Sequence, residues 1–236
     1  MVRIYYHIYA IDGVEPIIDE QISLIEKNFN FPYILNVGIS IANKNESTYS
    51  IIEKFSKTNY HIRDVRTNGN EFTTLDLIEI DKDKFGDSDY ILYIHTKGAS
   101  RFHETGNYFN NTGNYDRVKT WRQMMNYFCI EKFDFAFEIF KNTAYNTYGV
   151  LLNNRIFYSG NFWWAKANYI KTLTPLENIN NPDEGFLKRC RAENWICSGY
   201  PNAKLGILFN DYTNTHPYHR YVFNNYKSIT FCPKPI

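Results

Sequence analysis

Long apolar runs are missing from this sequence. The longest, such as Ile91–Ile94 and Phe162–Ala165, stop far short of the roughly 20 residues that a bilayer-spanning helix needs, so no transmembrane segment is expected. Charge of one sign is missing too. With 26 Lys+Arg against 25 Asp+Glu the formal charge is +1, which supplies no general field for nucleic acid or an anionic membrane, and any anion site must be local. Cysteine is sparse: the 4 residues Cys129, Cys190, Cys197 and Cys232 form no C-x-x-C pair and read as reduced thiols. No G-x-S-x-G and no ligand-spaced histidine motif occurs, which argues against a hydrolase. The opening Met1-Val2-Arg3-Ile4-Tyr5-Tyr6 carries no secretory features, so a cytoplasmic protein, soluble or peripheral to a membrane, is expected.

What is present is material for one core. The 236 residues are 44% hydrophobic and 18% aromatic, enough for a single domain and too short for two ordinary ones. β-formers at Arg3–Ala10 run into Asp12-Gly13 and then the amphipathic stretch Glu15–Lys27, which predicts strand, turn and helix. The pattern returns as a strand at Tyr33–Ser40 and a helix at Glu46–Lys57, then a strand at Tyr60–Val65 and a helix at Phe72–Asp81. A fourth strand follows at Tyr90–Ile94. This alternation predicts an α/β fold with a mostly parallel sheet and helices on both faces. Between Gly98 and Val118 the sequence turns polar and reads as a long loop. Helices are expected at Thr120–Phe128, Glu131–Phe140, Phe162–Lys171 and Asp183–Glu193, with strands at Tyr148–Leu152 and Arg155–Tyr158. From Asn210 onward no clear period remains.

Ligands of open parallel sheets bind beyond the carboxyl ends of the strands. Here those ends carry Ala10 and Asp12 after the first strand, Asn68 and Glu71 after the third, and His95-Thr96-Lys97-Gly98 after the fourth. His95 and Lys97 offer donors to a phosphate, and Gly98 permits close backbone approach. Solvated turn residues are the plainer reading of the same four.

The run Tyr90-Ile91-Leu92-Tyr93-Ile94-His95-Thr96-Lys97-Gly98, with Trp121-Arg122 downstream, resembles the HTK signature of glycosyltransferases of bacterial and viral polysaccharide synthesis, including the rhamnan-synthesis type. Asn68-Gly69-Asn70-Glu71-Phe72 resembles the Asn-x-Gly-acid stretch ahead of that signature. Ser159-Gly160-Asn161-Phe162-Trp163-Trp164-Ala165-Lys166-Ala167 and Arg191-Ala192-Glu193-Asn194-Trp195-Ile196 are similar to further blocks of that family. The resemblance implies a single GT-A (Rossmann-like) domain. Its nucleotide-sugar-binding half would be about residues 1–98 and its acceptor-side half about 119–236. The implied reaction moves a hexose or deoxyhexose from a nucleotide-diphosphate donor to a glycan, lipid-linked sugar or glycoprotein. A catalytically silent glycan-binding or scaffolding module on the same fold is the alternative.

One departure stands out. Most GT-A enzymes carry Asp-x-Asp after the fourth strand to hold a metal on the donor diphosphate, whereas this chain has His95-Thr96-Lys97. Asp87-Ser88-Asp89 has the right letters but precedes the strand, at the wrong end of the sheet. Lys97 can neutralise a leaving diphosphate as a cation does. Alternatively His95 and His216 ligate Mn or Mg, although hard cations prefer oxygen and a loop histidine is the ordinary reading of His216. Arg122 is a further phosphate candidate, or a surface ion pair.

An inverting transfer needs a carboxylate to take the acceptor's proton. Glu193 is the first candidate, in a block that resembles the family and next to an aromatic. Glu184 and Asp183 are rivals, and a helix-start pair favourable to the helix dipole explains both without catalysis. Gly160, Asn161, Trp163, Trp164 and Trp195 are candidates for sugar binding, with core packing the competing role for the tryptophans.

Overall fold

The computed structural model describes residues 1–42, 46–56, 60–101, 112–153, 157–179, 187–199 and 201–209. The chain alternates as the periodicity requires: β1 (Val2–Ala10), α1 (Glu15–Asn28), β2 (Tyr33–Ile41), α2 (Glu46–Ser56), β3 (His61–Thr67), α3 (Phe72–Asp81) and β4 (Tyr90–His95). The second part is less regular. It comprises α4 (Thr112–Asn126), α5 (Phe133–Asn142), β5 (Thr147–Asn153), β6 (Phe157–Tyr158), β7 (Trp163–Lys166), α6 (Ala167–Ile170), α7 (Leu187–Trp195) and β8 (Leu205–Phe209). Among the described residues no helix is long and apolar enough to cross a membrane.

The strands form one mostly parallel sheet of eight, in the order β3-β2-β1-β4-β7-β5-β6, with β8 beside β5. β1 lies parallel between β2 and β4, and β7 runs antiparallel between β4 and β5. From β1 the chain proceeds to β2 and β3 on one side and to β4 on the other, so the topological switch point falls between β1 and β4. β1 is buried on both faces because both faces are covered. Ile4, Tyr6 and Ile8 pack with α1, α2, α4 and α5, whereas Tyr5 packs with residues of α3, α6 and α7.

Helix α3 is fastened to the sheet at both ends by tyrosines. The Tyr5 hydroxyl donates to Asp81 at 2.9 Å and the Tyr93 hydroxyl to Glu71 at 3.2 Å. Between these ends the helix presses close to β2, since a Cβ at Gly38 would lie 2.2 Å from the Thr74 hydroxyl oxygen.

Two expected elements differ. Phe162–Lys171 is not one helix, because Trp163–Lys166 is a strand and only Ala167–Ile170 is helical. The unbroken apolar run is that of a strand buried on both faces, and the two tryptophans point to opposite sides of the sheet. Trp163 stacks on Tyr93 at 5.3 Å, while Trp164 packs against Phe29 and Phe137. Helix α4 begins at Thr112 rather than Thr120 and continues into a π-turn at Tyr127–Glu131, whose Cys129 carbonyl accepts a hydrogen bond from the Trp164 indole at 2.8 Å. Residues 102–111 of the expected loop lie outside the described residues.

Candidate functional site

The carboxyl end of β4 is held in place by β1 beyond the last strand residue. Thr96 N–H donates to the His7 carbonyl at 3.0 Å, and the Thr96 hydroxyl oxygen accepts from Tyr9 N–H at 2.9 Å. At Gly98 the chain takes φ +90°, and a Cβ there would lie 2.7 Å from Val118, so the turn requires glycine. Arg122 secures the turn from α4. Its guanidinium donates to the Lys97 carbonyl at 3.0 Å and pairs with Glu20 of α1 at 3.1 Å. Gln21 and Asn126 extend this network, with Gln21 donating to the His95 carbonyl at 3.1 Å.

With its backbone so fixed, Lys97 is half-buried, and its Nζ stands 4.4 Å from the centroid of the Trp121 ring. The described residues give this ammonium no hydrogen-bonded or ion-paired partner, only the aromatic face, which is worth about 0.5–2 kcal/mol.

Beside it lies Glu71, at the start of α3. Its Oε2 accepts from the Tyr93 hydroxyl and from the Asn161 amide, while Oε1 takes no hydrogen bond from the described residues. Burial alone would raise this carboxyl, but the neighbouring His95, then Lys97 and His7, together with the Asn161 amide, outweigh it and hold the group below the usual carboxylate range. Asn161 is itself constrained. It sits at φ 55°, a conformation costing most residues roughly 1–2 kcal/mol but accessible to Asn. The Trp163 indole donates to its Oδ1 at 2.9 Å, and its amide also reaches the Ala192 carbonyl of α7 at 3.4 Å.

His7 and His95 are register partners on β1 and β4 and share a sheet face. The Nε2 of His95 donates to the Gly160 carbonyl at 2.8 Å, and its ring packs between Tyr93 and Phe162. His7 is 2% exposed, with Nδ1 3.1 Å from the Thr74 hydroxyl. Burial pushes its pKa down to about 3, with Glu71 and His95 exerting opposing smaller effects, so it is neutral at physiological pH.

The structure therefore brings together Glu71, His95, Lys97 and Asn161 from the expected set, and the negative charge of Glu193 in α7 acts on the Tyr93 hydroxyl beside Glu71. Ala10 and Thr96 are buried and serve the strand ends, and Gly98 shapes the turn. Asp12 and Asn68 are exposed, Asn68 in a left-handed turn at φ 57°. Asp183, Glu184 and His216 lie outside the described residues.

Several expectations are corrected. Trp163, Trp164 and Trp195 are wholly buried in the core, and the Trp195 indole donates to the Thr174 carbonyl, so none offers a ring face to a sugar. Asn161 has both ends of its amide committed to protein, and Gly160 is packed under Met125 and Trp121, so they shape the site from behind rather than bind sugar. Arg122 is 2% exposed and spent on Glu20 and Lys97, so it is neither a phosphate ligand nor a surface ion pair. The solvated-turn reading fails for His95 and Thr96, which are buried. Asp89 at the opposite strand end is paired with Arg3 at 2.9 Å, and exposed Asp87 with Lys171.

The expected metal ligands are not both in view, since His216 lies outside the described residues. The His95 nitrogen facing Gly160 carries a hydrogen, and no group of three or more His, Cys, Asp or Glu among the described residues is arranged to hold a metal ion.

His7 and Tyr93 were missed from the sequence. One signal was available: Tyr5-Tyr6-His7 and Tyr93-Ile94-His95 both read Tyr-x-His, and the two triplets pair residue for residue across β1 and β4.

Fold and site thus define an α/β protein with a mixed-charge polar cluster at the switch point of a mostly parallel sheet. The chain belongs to a domain family of unknown function, DUF8361, whose family model matches residues 5–194. No curated protein matches it.

Proposed function

We propose that this chain is a glycosyltransferase of the GT-A type that moves a hexose or deoxyhexose from a nucleotide-diphosphate donor to a glycan, lipid-linked sugar or glycoprotein. The observation that carries the reading is the half-buried Lys97 ammonium at the β1/β4 switch point, set on Trp121 and without a protein counter-ion among the described residues. Such a cation at a switch point, the place where open parallel sheets take their ligands, suits a diphosphate. The HTK-like sequence around it supplies the reaction class.

In this reading the acceptor hydroxyl attacks the anomeric carbon, and the bond from that carbon to the phosphate oxygen breaks. The departing diphosphate keeps the electron pair, and Lys97 offsets its charge. The hydroxyl proton passes to Glu193, whose helix contacts the Asn161 turn through Ala192. Glu184 and Asp183 remain the rival bases.

Titration calorimetry with UDP, GDP and dTDP, each with and without Mn, tests the proposal. One of them is expected to bind, and Lys97→Ala is expected to weaken that binding about 10-fold or more while leaving the melting temperature within a few degrees. Failure of all three to bind would remove the basis of the reading.

A further inference from the structure

We propose that Glu71 is the residue that reads the hydroxyl groups of the donor's sugar, its open carboxylate oxygen accepting a hydrogen bond from a ring hydroxyl while the phosphates lie against Lys97. This deepens the glycosyltransferase reading and rests on it.

The geometry fixes which atom is offered. Oε2 is held by Tyr93 and Asn161, and Asn161 is held in turn by Trp163, so the carboxylate cannot swivel to hide Oε1. Oε1 has no partner among the described residues, and on a half-buried group it is not sealed away by the protein, which leaves a strong acceptor open to a ligand. An ionised carboxylate accepts and cannot donate, so the group it takes must bring a hydrogen. A phosphate oxygen is repelled there and a hydroxyl is welcome.

Lys97 supplies the complementary end. It is close enough to Glu71 to act on its charge, yet no ion pair joins them. Two unlike charges standing side by side without neutralising each other match a ligand that is anionic at one end and hydroxylated at the other. A sugar attached through its anomeric oxygen to phosphate has that polarity. Proton transfer is the poorer role for Glu71, because the donors and cations that pin the carboxylate also weaken it as a base.

Glu71→Gln separates reading from scaffolding. Its amide oxygen preserves the acceptor for Tyr93 and Asn161, while the open side changes from an acceptor to a donor. The probes are UDP with UDP-glucose, GDP with GDP-mannose and dTDP with dTDP-rhamnose, using the pair whose diphosphate binds the wild type. The parent diphosphate is expected to bind the variant within about 3-fold of wild type, and the extra affinity that the sugar confers, about 10-fold or more, is expected to vanish. Donors lacking one ring hydroxyl provide a second measurement that does not require the variant to fold. In the wild type one such deletion should cost a comparable factor, and in Glu71→Gln the same deletion should cost nothing. Equal loss of diphosphate and conjugate, an unchanged sugar increment, or a wild type indifferent to every deletion overturns the assignment and leaves the proposed function standing. A wild type that binds no diphosphate overturns both.

Discussion

Replacing His7 with Asn isolates the free energy stored in a neutral buried imidazole. In the unfolded chain this group titrates near 6.5, whereas burial in the folded protein lowers it to about 3. Between those values the unfolded state binds a proton that the folded state refuses, so stability is full above about pH 6.5 and drains away as pH falls toward 3. Each pH unit inside that window is worth about 1.4 kcal/mol, so wild type should lose about 2 kcal/mol between pH 7.5 and pH 5 from this residue alone. Asn retains a polar atom near the Nδ1 position, within reach of the Thr74 hydroxyl, but has nothing to protonate. Urea unfolding of both proteins at half-unit pH steps gives the difference directly. Stopping at pH 5 keeps Glu71 and Asp81, both held below the usual carboxylate range, out of the measurement. Should the two stability curves run parallel over this interval, His7 is not held neutral by its surroundings, and the polarity assigned to this face of the sheet is wrong.

Other substitutions probe the frame. Arg122→Met should cost about 2–3 kcal/mol in urea unfolding, because it strands Glu20, which is 25% exposed, and releases the Lys97 carbonyl. A stability unchanged within 0.5 kcal/mol or so would return Arg122 to the list of free cations. Gly160→Ala should cost about 2–4 kcal/mol, since φ is +90° and the new methyl would lie 2.4 Å from the Met125 sulfur. A thermal melt equal to that of wild type would show that this turn relaxes freely.

The first half of the fold was legible in the sequence because strand-forming runs alternate with helical stretches, with breakers such as Asp12-Gly13 after β1 and Asn68-Gly69 after β3 marking the changes. Trp163–Lys166 was not, since a short apolar run has no period with which to choose between helix and strand. The site divides in the same way. His95, Lys97 and Glu71 follow strand ends and could be picked from local order alone. The commitments that decide their roles could not, because Arg122 meets Glu20 across 102 positions and Asn161 meets Glu71 across 90. A guanidinium that local order offers to phosphate or to a surface acid is claimed by a helix it reaches only after folding. The tryptophan pair misled for a related reason: aromatic rings suit sugars and cores equally, and only the strand geometry assigns them to the core.

Gly160 and Asn161 are consecutive, yet one steadies a ring that belongs to β4 and the other an acid that belongs to α3. A displacement of that one bend therefore carries both groups the same way, and the gap between them survives small breathing motions. A cluster whose members hung from independent loops would lose its spacing whenever either loop moved.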